Sequence, residues 1–287
     1  MFIMNKVGIV KEIWRYPVKG MAGEQVEQCS ISSHGLEGDR IWALRDSTRQ
    51  EIQSCKFRPE LLKCTASSRN EQSDSHIDIA LPDGTILGSD DEQIHQSLSD
   101  LVGFESTLET LQPISDLDFY RRHKTDDHTW LEELKATFTR EAGEPLPDFS
   151  QLPQQARDFV TVPGTFFLVT PFHIITTATL DYMKTLLPDA DWDVHRFRPN
   201  IVIETSRDDQ GLVEQNWIGK SMKISKSEID CTATAPRCGA ITREQKNLKF
   251  DKSMLRTIVK EADQNLGIYG NIVERGTLSV GDTVYIE

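Results

Sequence analysis

The run Ala235-Pro236-Arg237-Cys238-Gly239-Ala240-Ile241-Thr242 sets a thiol beside a guanidinium just after a strand-like stretch. A neighbouring cation favours the thiolate, which is both the nucleophilic form of cysteine and a soft metal ligand. Cys238 is therefore the best poised of the five cysteines. The others, Cys29, Cys55, Cys64 and Cys231, are widely spaced, and no pair forms CxxC. That spacing argues against a disulfide scaffold, an all-cysteine zinc site and a plant-type iron-sulfur cluster.

Four further segments carry groups suited to an anion. Phe197-Arg198-Pro199-Asn200 precedes the apolar Ile201-Val202-Ile203, and Arg198 offers forked donors to phosphate while Asn200 offers a donor and an acceptor. Tyr16-Pro17-Val18-Lys19-Gly20 presents an ammonium beside a glycine, where a phosphate can approach the backbone. In Gly38-Asp39-Arg40, Arg40 adds a cation with Asp39 as its orienting partner, and Thr170-Pro171 adds a hydroxyl. Taken singly, each also reads as a turn, a solvated strand-end lysine or an ordinary ion pair. His123 and His128 fit no common metal-ligand spacing, and the neighbouring Arg121, Arg122 and Lys124 repel a metal ion.

Positioning these groups falls mainly to strands. Residues 7–14, 25–32, 40–46 and 77–81 read as strands between glycine-containing breaks, and Ser89 or Asp90 caps a helix carrying Ile94, Leu98 and Leu101. Past Pro163, strands are expected at 166–169, 201–204, 222–225, 229–232, 269–273 and 283–286, with helices at 179–187 and 252–262. Many short strands with few helices predict a mainly β protein with some α: an antiparallel β-barrel over 163–287 and a smaller α/β domain over 1–115, whose first strands are available to the barrel. Residues 116–162 read as an exposed acidic connector with one helix near 130–138.

Composition limits the function. At 287 residues, with 38% apolar and 27% charged side chains, the chain can build its own core without disulfides or a structural metal. A net charge of -13 and a pI near 5.0 exclude nonspecific nucleic-acid binding, so any anionic ligand needs a local basic pocket. Neither a secretory apolar run near Met1 nor an apolar membrane-spanning stretch is found, which makes a cytoplasmic protein without membrane contact the expectation.

Taken in order, the segments resemble the MOSC superfamily, and within it the two-domain type of the amidoxime-reducing components and their bacterial relatives. The matched pieces are Tyr16-Pro17-Val18-Lys19, Asp39-Arg40 with Trp42, Thr170-Pro171-Phe172, Phe197 to Ile203 and Pro236-Arg237-Cys238, together with Leu266-Gly267-Ile268-Tyr269 and the closing Gly276 to Tyr285. The resemblance implies a C-terminal MOSC β-barrel with an N-terminal MOSC_N-type domain. It also implies a molybdenum cofactor (Mo-molybdopterin), with Cys238 as the metal's thiolate ligand and as the catalytic residue. Lys19, Arg40, Thr170, Arg198, Asn200 and Arg237 would bind the cofactor. Across the superfamily pyridoxal phosphate binding is a further expectation. Gly20 and Ala235 depart from the reducing branch, which often has a small polar residue after the lysine and Cys or Ser two positions before the arginine.

On this resemblance the chain is expected to be an oxidoreductase that reduces N-hydroxylated small molecules. Its electrons would come from a separate protein of ferredoxin, flavodoxin or cytochrome type. The alternative is a sulfur carrier or cofactor-handling protein with a persulfide on Cys238, and a noncatalytic scaffold ranks below both.

Overall fold

The computed structural model describes residues 4–70, 73–123, 129–150 and 154–287. His128, weighed above as a metal ligand, and the neighbouring Lys124 lie outside the described residues.

Seven strands close into a barrel: β1 (Asn5–Arg15), β2 (Phe172–Thr176), β3 (Ile201–Glu204), β4 (Ser221–Ile224), β5 (Ser227–Pro236), β6 (Asn265–Glu274) and β7 (Thr283–Ile286). Around the ring the order is β1-β3-β2-β6-β5-β4-β7, and β7 pairs with β1 to complete it. The protein is thus mainly β, as its strand pattern predicts. The N-terminal β1 is a stave of this barrel, with Ile13 facing Ile201 on one side and Ile9 facing Thr283 on the other.

One pairing departs from the antiparallel expectation. β2 and β3 run parallel, Ile174 opposite Ile201 and Thr176 opposite Ile203. Parallel neighbours need a long crossover, and the helix Thr177–Leu186 supplies it. The Thr176 hydroxyl caps that helix by accepting from the Thr179 amide at 3.2 Å.

Inside the barrel, alternate residues such as Val10, Ile13, Ile174, Ile203, Ile229, Ile268 and Val284 are fully buried. Each stabilises the fold by roughly 1.5–3 kcal/mol relative to exposure. A second core lies outside the wall, where Met254, Leu255, Ile258 and Val259 of the helix Ser253–Glu261 meet Trp14, Ile175 and Val202. Their spacing puts them on one helical face.

Elsewhere, Trp42–Asp46 pairs with Ser106–Thr110 and Glu51–Ile52, and Ser73–Ala80 pairs with Thr65–Asn70 and Ile86–Gly88. The helix Ile94–Val102 packs Ile94 and Leu98 against Leu44, Leu61, Ile77 and Ile79. Its N-cap is Gln93, not Ser89 or Asp90; the Ser89 hydroxyl instead accepts from the Ile77 amide at 3.2 Å.

Two expectations need correction. Residues 166–169 are not a strand, because Phe166 and Phe167 turn into the protein while Leu168 and Val169 stay exposed, a two-in, two-out pattern that no pleat produces. The stretch 116–162 is not wholly exposed either. Phe119, Tyr120 and Val160 pack with Ile52 and Phe166, Trp130 and Phe138 are buried, and the expected helix spans Thr129–Ala136. Aromatic side chains spread among acidic ones anchor this segment to the body of the protein.

Candidate active site

Strand register gathers three of the sequence-predicted segments at one rim of the barrel. Tyr16 to Lys19 leave the end of β1, Arg198 to Asn200 lead into β3, and Thr170 precedes β2. Because β1 is antiparallel to β3 and β3 is parallel to β2, these three ends coincide. Backbone bonds fix the junction: the Asn200 amide donates to the His173 carbonyl at 2.7 Å, and the Trp14 amide to the Asn200 carbonyl at 2.9 Å. Arg237 and Cys238 follow the end of β5, which runs in the same sense as β2 and so ends away from the start of β2; its ladder to β6 slips in three places before it stops at Pro236, and the Arg237 side chain reaches the Phe197 carbonyl at 3.3 Å and the His173 ring. Such bulges re-aim the residues that follow them. The Gly38–Trp42 turn lies along Tyr16–Lys19, with the Arg40 amide donating to the Tyr16 carbonyl and the Lys19 amide to the Trp42 carbonyl, both at 2.8 Å.

Together these segments line one cavity of about 200 Å³. Lys19, Arg40, Thr170, Arg198, Asn200 and Arg237 all face it, as do Cys55, Lys56, His173 and Tyr269. The lining thus holds five Lys and Arg cations, Lys19, Arg40, Lys56, Arg198 and Arg237, and among the described residues it holds no carboxylate. In a chain of net charge -13 that is a concentrated site for an anion. Cys238 is half-buried and is not itself in the lining, although Arg237 before it and Ala240 after it are.

Bonding separates two kinds of residue among the six. Asn200 is committed inward: its amide nitrogen donates to the Trp14 carbonyl at 3.2 Å and to Asp39 at 3.1 Å, and its oxygen accepts from the His173 amide at 3.3 Å. Arg237 is committed likewise, donating to the carbonyls of Leu266 at 2.9 Å and Phe197 at 3.3 Å and to the His173 ring. The Thr170 hydroxyl donates to the Phe172 carbonyl at 3.1 Å. Lys19, in contrast, spends one ammonium donor, on the Phe166 carbonyl at 2.9 Å, and two remain. Arg198 bonds the Met21 carbonyl and lies over the Tyr16 ring, 4.4 Å from its centroid.

Arg40 and Arg198 both hold positive φ, 51° and 56°, a conformation that costs a side-chain-bearing residue about 1 kcal/mol or more. At both positions the surrounding bonds over-determine the backbone. Gly20, at φ 89°, occupies the same left-handed region, and this is the physical reason a glycine follows Lys19 here.

Buried Asp39 organises the cations. It accepts from the Tyr16 amide at 2.7 Å, from Asn200 and from the Arg40 guanidinium. Burial raises its pKa, and Arg40 with these hydrogen bonds opposes that rise. His173 is pushed well below the ordinary histidine value, first by burial and then by Arg237, so the ring is neutral. Its Nε2 lies against both the Arg237 guanidinium and the Leu266 carbonyl, the latter at 3.3 Å. Its Nδ1 is buried.

Burial also lowers Lys19 from 10.5 to about 7, opposed by Cys55 and reinforced by Arg40, Lys56 and Arg198. Between these values the unfolded chain carries the extra proton, so the stability of the ligand-free protein rises with pH across that window. Anion binding has the opposite sign, because Lys19 is charged below about pH 7 and loses its charge above it. Inorganic sulfate, whose own charge is constant here, should bind several-fold more tightly at pH 6 than at pH 8.5 in calorimetry, and Lys19→Met should flatten the dependence. Equal sulfate affinity at both pH values in the wild type would contradict this assignment.

Two family models match the chain. A family model for the MOSC domain matches residues 164–285, and one for the MOSC N-terminal beta barrel domain matches residues 7–110. The chain belongs to the two-domain MOSC family. This MOSC chain is 22% identical to mitochondrial amidoxime reducing component 2 of Bos taurus, over 98% of its own length and 84% of the relative's. Among solved structures, the YUAD protein from Bacillus subtilis aligns over 99% of this chain and 98% of its own, at 8% identity and a TM-score of 0.44. YiiM from Geobacillus stearothermophilus aligns over 41% and 54%, at 12% identity and a TM-score of 0.31.

Cys55, Lys56 and His173 line the cavity without having been singled out in the sequence, and Tyr269 comes from the matched Leu266–Tyr269 segment without having been assigned a role there. His173 follows Thr170-Pro171-Phe172 directly and could have been found by extending that motif one residue. Cys55 and Lys56 sit in a polar turn with no signal of their own. Among the described residues, no group of three or more His, Cys, Asp and Glu could hold a metal ion, and no helix is long and apolar enough to cross a membrane.

Proposed function

We propose that this MOSC protein binds a molybdenum cofactor at the barrel rim and reduces N-hydroxylated small molecules. The observation that carries the reading is the lining of five cations without a carboxylate, next to the Cys238 loop. An anionic, phosphate-bearing cofactor fits that donor set. A metal at the site needs most of its ligands from the cofactor, which suits a pterin dithiolene completed by one protein thiolate.

In this reading Lys19, Arg40 and Arg198 hold the cofactor's phosphate and pterin, with Thr170 beside them. Asn200, Arg237 and Asp39 act as positioning residues, since their polar atoms already bind the rim. Cys238 supplies the thiolate to molybdenum. The bound cofactor supplies two-electron redox chemistry. The net reaction for an amidoxime is R–C(NH2)=N–OH + 2 e⁻ + 2 H⁺ → R–C(NH2)=NH + H2O, with the electrons delivered by a separate redox protein. The name of the bovine relative, which refers to amidoxime reduction, supports this choice of substrate class. The test is conversion of benzamidoxime to benzamidine by protein made in a host with an intact cofactor pathway, with a chemical electron donor. No benzamidine from cofactor-loaded protein would overturn the reading.

A further inference from the structure

A second cavity, of about 470 Å³, adjoins the first. Lys56 and Ala240 line both, so the two chambers meet at the Cys238 loop. The segment 116–162 helps to build the outer chamber: the Gly239 amide donates to the Thr137 carbonyl at 2.8 Å, and Arg140 donates to the Arg237 carbonyl at 3.1 Å. Phe57 and Trp130 give it aromatic walls.

Charge in the outer chamber is unbalanced. Arg49, Lys56, Arg58, Arg122 and Arg243 line it, and none of these five forms an ion pair with a carboxylate among the described residues. The three carboxylates in the lining are engaged. Asp46 accepts the amides of Thr48 at 2.9 Å and Arg49 at 2.8 Å, Glu51 accepts the His123 amide at 2.5 Å, and Glu133 also has a partner. Gln53, also in the lining and 7% exposed, donates to Ser106 at 2.7 Å while its own carbonyl oxygen is buried with no partner. It is an unmet acceptor for an N–H donor.

We propose that this outer chamber is the substrate vestibule and that it selects planar N-hydroxylated molecules carrying a distal negative charge, a carboxylate or a phosphate-type group. The inference rests on the reductase reading above and adds to it the charge of the substrate. Aromatic walls hold the flat body, Gln53 offers its carbonyl to an amidoxime N–H, and the unpaired cations hold the anionic end. A cationic substrate meets five like charges against three carboxylates, a net positive charge of two.

The test uses protein purified with its cofactor and four probes: benzamidoxime, 4-carboxybenzamidoxime, 4-phosphonobenzamidoxime and 4-(trimethylammonio)benzamidoxime. Dissociation constants come from calorimetry and KM values from turnover. At low ionic strength both anionic probes should bind about tenfold more tightly than benzamidoxime, the size of effect expected from two or three partly screened ion pairs, and the cationic probe more weakly. The carboxylate and phosphonate arms then rank the two anion types. Added salt should shrink the preference, and Arg49→Gln combined with Arg243→Gln should narrow the ratio of anionic to neutral affinity. Equal affinity for all four probes, or preference for the cationic one, overturns the proposal even if every probe is reduced. Tight binding of the anionic probes with no reduction of any probe supports the vestibule and removes the reductase reading instead.

Discussion

Cys238→Ser should abolish reduction of N-hydroxylated substrates while leaving the fold intact. Serine is close to cysteine in volume, and Cys238 is only half-buried, so packing changes little. The hydroxyl, unlike the thiol, stays protonated near neutral pH and is a hard donor that binds molybdenum poorly. Loss of a directly bound ligand should exceed the roughly 10- to 100-fold cost of losing a second-sphere partner. Pterin should still be retained through Lys19, Arg40 and Arg198, which do not depend on the sulfur. Cys29→Ser, Cys64→Ser and Cys231→Ser are controls, since burial holds each of those thiols well above the ordinary cysteine value. Cys55→Ser is a different case, because Cys55 lines the cavity beside Lys19 and should change cofactor retention more than the other three. Full activity in folded Cys238→Ser would remove both the metal-ligand and the persulfide roles.

Asp39→Asn should produce the largest loss of stability at the rim. The carboxylate is fully buried and meets Arg40, whose side chain is 15% exposed, while also holding the Tyr16 amide and Asn200. Removing one partner of a buried pair leaves the other charge uncompensated, at about 3–5 kcal/mol. Here that charge also faces Lys19 and Arg198. For a chain of this size the melting temperature should fall by roughly 6–15 °C. Glu244→Gln, which breaks the exposed Lys63–Glu244 pair, should cost under about 1 kcal/mol and serves as a comparison. Thermal unfolding of the two variants side by side decides the matter, and equal melting temperatures would mean that Asp39 does not organise the cations.

Lys19, Arg40, Arg198 and Arg237 stood out in the sequence because each sits beside a strand end in a recognisable motif, whereas Lys56, in a polar turn, did not. What they do was less legible. Asn200 and Arg237 belong to the same motifs as Arg198 and Cys238, but their hydrogen bonds turn inward, a distinction that depends on contacts with His173, Leu266 and Trp14, far away in sequence. The parallel pairing of β2 and β3 is encoded in the crossover between them, not in either strand's residues. Residues 166–169 misled because a short apolar run gives no period. Phe166 there matters for its carbonyl, which anchors Lys19, and a backbone group carries no sequence signature. The acidic segment 116–162 read as linker from its charges, whereas its few aromatic residues determine where it packs.

The central claim is that the Cys238 rim holds a molybdenum cofactor, and metal analysis of the purified protein tests it most directly. Protein expressed with an intact cofactor pathway should carry close to one molybdenum per chain, and Cys238→Ser should carry much less metal with its pterin largely retained. Wild-type protein with negligible molybdenum, and with sulfur released by reductant from Cys238, would contradict the claim and favour a persulfide carrier.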